Sequence, residues 1–330
     1  AGHATVSSGA SVAGEALDLP VLLAPTGLSG LAHWSGELAG ARAAERCGTR
    51  LCLSTASSYS LEEVAAGTSH DHWFQLYPWG DEFMESMIDR AAASGYRTLV
   101  ITIDVPVQGN RIGERRTGMG HPPILTPARV ADAAVRPRWW YGLLRYQRMT
   151  MRSVTATRGA AGAMESVALQ NRRMRPDLTW ADVAALRKRW DGPVFIKGVM
   201  APDDAVRAVD EVGATGVVVS NHGGRQLNGV PSSLEALPGV VAAVGDRAEV
   251  LLDSGVRCGT DIVTACALGA SAVLIGRPYL YGLAVGGEAG VAAVLEILAA
   301  ETRQALTLMG VGSLAELTPE HVVARHSHRD

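Results

Sequence analysis

"PVFIKGVMAPDDAVRAVDEVGATGVVVSN", running from Pro193 to Asn221, decides the fold. It begins and ends in short apolar runs, "PVFIKG" and "GVVVSN", each closing on a glycine or polar residue. Between them, "APDDAVRAVDEVG" repeats its apolar residues at helical spacing and stops at glycine, the residue that helix carboxyl ends prefer. Strand, helix and strand in that order predict two parallel neighbours joined by a crossover helix.

The same unit recurs along the chain. Eight strand candidates can be read: "LPVLLAP" (from Leu19), "TRLCLST" (from Thr49), "HWFQLY" (from His72), "TLVITID" (from Thr98), "PVFIKG" (from Pro193), "GVVVSN" (from Gly216), "EVLLDSG" (from Glu249) and "AVLIGRP" (from Ala272). Amphipathic segments such as "GELAGARAAERCG", "DEFMESMIDRAAASG" and "GTDIVTACALGA" lie between them. Eight units at a spacing of roughly 22 to 33 residues predict an α/β fold, a closed (β/α)8 TIM barrel, rather than an open sheet.

One gap breaks the rhythm. About 90 residues separate the fourth and fifth strands, so a long insertion at about 112–178 is expected over the barrel mouth as a lid or substrate loop. Its middle, "RPRWWYGLLRYQRMTMR" (Arg136 to Arg152), interleaves aromatic residues with five arginines. A helix packed on the barrel with a solvated basic face is expected there, with peripheral contact to a membrane surface as the alternative.

A chain of 330 residues with 47% hydrophobic content can bury one large core, so residues 1–330 are expected to form a single domain. The net charge of −3, with both signs mixed along the chain, argues against nucleic-acid binding. Cys47, Cys52, Cys258 and Cys266 lack paired spacing, which predicts free buried thiols rather than disulfides or zinc ligands. No run reaches the roughly 18 uninterrupted apolar residues of a membrane span, and a cytoplasmic protein is expected. Residues 1–18 are mostly small, polar and aperiodic, and predict a flexible or residual amino-terminal segment. The histidines of the terminal "ARHSHRD" are expected in a solvated end, not in a metal site.

In such barrels chemistry collects at the carboxyl ends of the strands. There the sequence places Gln75 and Tyr77, then Thr102, Asp104 and Arg111, then Lys197, then Ser220, Asn221, His222 and Arg225. The last two strands end in Asp253, Ser254, Gly255 and Arg257, and in Gly276 and Arg277. Glycine turns leading to arginines and helix amino termini predict a phosphate site with open backbone N–H groups. His222 can exchange a proton near neutral pH, while Arg225 and Arg111 can hold a carboxylate. Asp104 could orient His222 and stabilise its charged form. Lys197, the one charge inside an apolar strand, is expected to face an anion; Schiff-base chemistry is the rival role.

Together "SNHGGRQLNG", "LLAPTG", "WFQLY", "TIDVP", "FIKGV", "GVRCGTDI" and "IGRP" resemble the FMN-dependent L-2-hydroxy acid oxidase and dehydrogenase family, which includes glycolate oxidase, lactate oxidases and dehydrogenases, and mandelate dehydrogenase. The similarity runs from about Leu19 to about Leu308. It implies FMN as cofactor and oxidation of a 2-hydroxy acid, lactate-, glycolate- or mandelate-like, to the 2-oxo acid. His222 is then the base supported by Asp104, Arg111 and Arg225 hold the substrate carboxylate, and Tyr77 bonds its hydroxyl or carboxylate. Backbone at Ala24, Pro25 and Thr26, with Ser54, Gln75 and Thr102, would meet the flavin ring, with Lys197 at its N1/O2 edge and Ser220 nearby. Asp253 and Gly255 would meet the ribityl chain, and Arg257, Gly276 and Arg277 the phosphate. The α-hydrogen leaves as hydride or as a proton; both routes need the same residues. The reduced flavin passes its electrons to oxygen or to a quinone or other carrier, and Gly27 leans toward a dehydrogenase. The resemblance also implies a homotetramer.

Three departures stand out. No tyrosine precedes Tyr59, whereas the family carries a substrate-contacting tyrosine in an amino-terminal helical segment; that contact is expected to be lost or to lie ahead of Ala1. Weakened substrate binding follows, and a flavin-binding barrel with impaired or lost turnover is the alternative reading. Ser254 replaces a common glycine, which crowds the flavin chain if that position needs positive φ. Asn228 stands where aspartate is common.

Overall fold

The computed structural model describes residues 6–323 apart from 70, 117–125, 156–164, 167 and 171. The terminal histidines and part of the insertion therefore lie outside the described residues. Strands β1 (Ala10–Val12) and β2 (Glu15–Leu17) pair as an antiparallel hairpin. The barrel follows: β3 (Val21–Leu23), β4 (Cys52–Ser54), β5 (Trp73–Leu76), β6 (Thr98–Thr102), β7 (Val194–Val199), β8 (Gly216–Val219), β9 (Glu249–Asp253) and β10 (Ala272–Ile275). Neighbours are parallel in the order β3-β10-β9-β8-β7-β6-β5-β4, and a parallel bridge from Leu23 to Leu51 brings the two ends together. All eight strands expected from the apolar runs are present, seven of them shorter than their runs and β7 equal in length but shifted by one residue.

The helices are α1 (Gly36–Arg46), α2 (Leu61–Ala66) and α3 (Asp81–Ala93), then in the insertion α4 (Ile112–Arg116), α5 (Pro127–Ala134) and α6 (Pro137–Tyr146). After it come α7 (Trp180–Arg187), α8 (Pro202–Asp210), α9 (Ser233–Val244), α10 (Gly259–Ala267) and α11 (Arg277–Met309). Reciprocal capping at Ser60 with Glu63, Thr179 with Asp182 and Ser232 with Glu235 starts α2, α7 and α9. Helix α11 is long and apolar enough by length and composition to cross a membrane. It is broken at Gly286 and Gly287, and Leu283, Val291, Leu295 and Leu298 join the main core as its buried face.

Alternate residues of each strand face opposite ways. Leu23, Leu53, Phe74, Ile101, Ile196, Val217, Leu252 and Val273 point outward into the core beneath the helices. Leu22, Cys52, Trp73, Val100, Phe195, Val218, Leu251 and Ala272 point inward as an apolar layer, with Trp73 stacked on Phe195 at 5.0 Å.

Residues 7–18 correct the expectation of a flexible tail. Val12, Ala13 and Leu17 pack into the inner apolar cluster, so the hairpin closes the amino end of the barrel. Its turn, Ala13 (φ 54°) and Gly14 (φ 73°), has both central residues left-handed, the geometry that a two-residue hairpin prefers. Glu15 accepts bonds from Trp73 Nε1 (3.1 Å) and Arg50 Nε (2.9 Å), and the Glu249 carboxylate takes the Ala13 N–H at 2.9 Å. The cysteine expectation also changes: Cys52 alone is fully buried, while Cys47, Cys258 and Cys266 are partly exposed thiols.

Candidate active site

Two residues beyond the apolar layer, the same inward positions turn polar. Ser54, Gln75, Thr102, Lys197, Ser220 and Asp253 are all buried at the carboxyl ends of β4 to β9. Above them lies a cavity of about 330 Å3. Its wall includes Ala24, Pro25, Thr26, Tyr77, Thr102, Arg111, Lys197, His222, Arg225, Asp253, Gly255, Arg257, Gly276 and Arg277. Residues from all eight barrel strand ends, Ala56 from that of β4, are thus brought to one space; Ser54, Gln75, Asp104 and Ser220 stand just behind the lining.

Lys197, Ser220 and Asp253 form a row across three adjacent strands. Lys197 Nζ lies 2.9 Å from Asp253 Oδ2 and donates to Ser220 Oγ at 3.0 Å, while that hydroxyl donates to Asp253 at 2.6 Å. Burial alone would pull the lysine down, but Asp253 and then Asp104 outweigh it and hold the ammonium above its ordinary range. Burial likewise works to raise Asp253, and Lys197 with Ser220 reverses it, keeping the carboxyl below its usual range. Both groups are therefore charged at neutral pH, and the expected negative partner of Lys197 is supplied by the protein itself.

The loop after β8 carries three consecutive left-handed residues: His222 (φ 57°), Gly223 (φ 66°) and Gly224 (φ 70°). Glycine adopts this conformation freely; histidine does so at a cost of about 1–2 kcal/mol, so the surroundings must hold it. They do. The His222 N–H donates to Ser220 Oγ (3.0 Å), Gly223 N–H to Ser254 Oγ (2.8 Å), and Arg277 donates to Gly223 O (3.0 Å). His222 Nδ1 meets Asp104 Oδ1 at 2.9 Å. A carboxylate there assigns the proton to Nδ1 and leaves Nε2 as the nitrogen with a free lone pair.

Around this histidine the cavity lining includes both cationic and apolar side chains. Arg111 and Arg225 line it with Tyr77, whose phenol is pushed up to about 12 by burial and then by the Asp104 charge. Tyr77 is thus a hydrogen-bond donor at neutral pH, held flat against Trp79 at 5.1 Å. Leu28, Leu31, Ala56, Met151 and Gln170 also line the cavity. Met151 and Gln170 bring the long insertion to the mouth, as a lid segment should. No periodicity in the sequence singles them out. Helix α6 lies over the loop after β3: Trp139 Nε1 donates to Leu31 O (2.8 Å), and Trp34 stacks on Tyr146 at 4.1 Å. Its outer face is mixed, with Tyr141 and Leu144 exposed beside Arg138 and Arg145, rather than the basic face expected.

Several polar atoms here lack the partners that buried groups require. Among the described residues, Gln75 Nε2, Thr102 Oγ1 and Asp104 Oδ2 are buried without a hydrogen-bond partner. Ser54 donates to Gln75 Oε1 at 2.9 Å, which turns the unpaired amide nitrogen of Gln75 away from it. Gly255 (φ 90°) lines the cavity with open space where a side chain would project, and Gly276 faces the Ala24–Thr26 turn. A flat, many-acceptor ring with a polar tail suits this lining. The phosphate expectation needs one correction: the N–H groups of Arg257 and Cys258 already donate to Asp261, and that of Gly259 to Glu301. The amino end of α10 is occupied from within, so an anion depends on the Arg257 and Arg277 side chains and the first N–H groups of α11, which have no acceptor within the helix.

Comparisons with known proteins identify the relatives of the chain. Residues 1–324 match the family model described as FMN-dependent dehydrogenase. The chain is 44% identical over 302 residues to L-lactate dehydrogenase of Caulobacter vibrioides, covering 91% of this chain and 78% of that protein. L-Lactate dehydrogenase of Pseudomonas aeruginosa is 42% identical over 312 residues, with 94% and 81% covered. Among solved structures, the monotopic membrane protein (S)-mandelate dehydrogenase superposes with a TM-score of 0.89 at 38% identity, covering 96% of this chain and 84% of that one.

Proposed function

The chain belongs to the FMN-dependent dehydrogenase family, and from that premise we propose that it oxidises an L-2-hydroxy acid to the 2-oxo acid, with His222 as base and Arg111 and Arg225 as the carboxylate clamp. One observation carries the reading: the His222–Asp104 pair, at 2.9 Å, opens on the same cavity as the two arginines and the unpaired Thr102 hydroxyl.

FMN, when bound, supplies a two-electron acceptor. The residues of this chain do the rest. Gln75 and Thr102, with Ser54 behind and the backbone of Ala24, Pro25 and Thr26, would hold the ring; Lys197 would place its charge beside it. Ser220, Asp253 and Gly255 would meet the ribityl chain, and Arg257, Gly276 and Arg277 the phosphate. Arg111 and Arg225 fix the substrate carboxylate, and Tyr77 donates to its oxygen atoms. The substrate loses two protons and two electrons and its carbinol carbon becomes a carbonyl; one proton goes to His222, and the two electrons with the other would pass to bound FMN. His222 Nε2 receives the proton, and Asp104 stabilises the imidazolium that results. Leu28, Leu31 and Met151 keep water from the substrate's side chain.

Purified protein is expected to be yellow and to bleach anaerobically on addition of L-lactate, glycolate or (S)-mandelate. Re-oxidation by dioxygen or by a soluble quinone then identifies the acceptor. Yellow protein that none of these acids bleaches would overturn the proposal in favour of a flavin-binding barrel without turnover.

A further inference from the structure

The chemistry above leaves Asn221, Gln226 and Asn228 of the "SNHGGRQLNG" loop unused, and of these Gln226 bonds to the loop after β6. Gln226 Nε2 donates to Asp104 O and to Val107 O, each at 3.0 Å, and Gln226 Oε1 accepts from Gly109 N–H at 3.2 Å. Both amide hydrogens and the amide oxygen are thus engaged, all with main chain of residues 104–109. The orientation is forced: a flipped amide would set its oxygen against two carbonyls. Gly109 completes the contact, since a side chain there would lie 2.5 Å from Arg225 O and 2.7 Å from Gln226 Cα.

The segment held in this way supplies half of the site. Asp104 begins it, and Arg111, whose N–H donates to Gly109 O at 3.0 Å, follows it. Asp104 depends on its backbone for position, because Oδ1 meets His222 while Oδ2 has no partner among the described residues. Beneath it strand β7 bulges at Gly198 (φ 104°), where a side chain would come within 2.6 Å of Asp104 Cβ. Asp104 therefore rests on Gly198 from below and is fixed from the side by Gln226.

We infer that Gln226 is a positioning residue, which sets Asp104 against His222 and Arg111 opposite Arg225 by stitching the loop after β6 to the loop after β8. Its three bonds are partly exposed and lie between surface loops, outside the barrel core, so their effect falls on geometry rather than on folding. The inference rests on the reading of His222 and Asp104 given above.

Gln226→Met keeps the length of the side chain and removes all three bonds. Holoenzyme carrying it is expected to retain its flavin content, while the rate constant for flavin reduction at saturating L-2-hydroxy acid falls by roughly 10- to 100-fold, part of what a positioned base contributes. In an Asp104→Asn background the same substitution should cost no more than about threefold, because its route through Asp104 is already cut and saturating substrate offsets a displaced Arg111. Equal losses in both backgrounds, or no loss in either, would overturn the inference. Gly109→Ala, whose added carbon would lie 2.5 Å from Arg225 O and 2.7 Å from the Gln226 amide oxygen, forces the same loops apart and should give the same pattern; an additive loss with Asp104→Asn would count against it equally. Asp104→Asn alone separates the two claims: if it reduces flavin at the wild-type rate, the base assignment fails, whereas a slow Asp104→Asn beside a fast Gln226→Met removes only Gln226.

Discussion

The two ends of the barrel contain the same kinds of buried polar group and differ in how many they leave unpaired. At the amino end, Glu15 satisfies Trp73 Nε1 and Arg50, and Glu249 satisfies the Ala13 N–H, while Thr98 Oγ1 at the start of β6 is the counter-example, buried without a partner among the described residues. At the carboxyl end, Gln75 Nε2, Thr102 Oγ1 and Asp104 Oδ2 have no partner among the described residues, and His222 sits in a left-handed conformation that three separate hydrogen bonds maintain. An unpaired buried donor or acceptor costs about 1–3 kcal/mol, so a cluster of them facing one cavity marks a place where a ligand or ordered water completes them. The closed end is built for stability. The open end is built for an occupant.

Substitutions at each end should therefore separate into two classes. The largest kinetic effect is expected at His222→Ala: reduction by an L-2-hydroxy acid should slow by about 10²–10⁴-fold while flavin is retained, since the ring and phosphate groups are untouched. Stopped-flow absorbance of the holoenzyme measures this directly, and an unchanged rate would remove His222 from the chemistry.

Glu15→Ala is the counterpart at the closed end. It leaves Arg50 and the Trp73 indole without their acceptor and should lower unfolding stability by about 3 kcal/mol, read as a drop in denaturation midpoint. Its reduction rate at saturating substrate should match wild type. A comparable loss of rate would mean that the two ends are coupled through the apolar layer between them, and the division drawn above would fail.

How much of this was legible in the sequence follows from the same physics. The barrel strands could be read because each is buried on both faces and so appears as an unbroken apolar run. The hairpin could not: its buried residues, Val12, Ala13 and Leu17, are few and mostly small, and Ala13-Gly14 is a weaker turn signal than Asn-Gly. At the site, His222, Asp104, Arg111, Arg225 and Lys197 announced themselves as polar residues at strand ends. Their partners did not. Lys197 meets Asp253 because both occupy the same inward position two strands apart, a relation of register that no single segment displays. The closed amino end of α10, the Gln226 stitch and the Met151 wall are likewise contacts between distant segments.

Ser254 sharpens the comparison at its smallest scale. Among the described residues it is one of five non-glycine positions with positive φ, at 86°, where a common glycine would sit without strain. Yet its hydroxyl accepts the Gly223 N–H at 2.8 Å, so the side chain that strains the turn after β9 also holds the loop carrying His222. Ser254→Gly relaxes roughly 1 kcal/mol of backbone strain and gives up a hydrogen bond of about the same size, so thermal stability should change by no more than about 1 kcal/mol. Flavin reduction should still slow by about threefold, because Gly223 loses its partner next to the base; one neutral hydrogen bond of 0.5–1.5 kcal/mol corresponds to about that factor. Ser254→Ala, which retains the strain and lacks the hydroxyl, should slow reduction equally but lose about 1–2 kcal/mol of stability. If both variants reduced flavin at the wild-type rate, the Ser254 hydroxyl would belong with Glu15 as a purely structural group, despite its place at the open end.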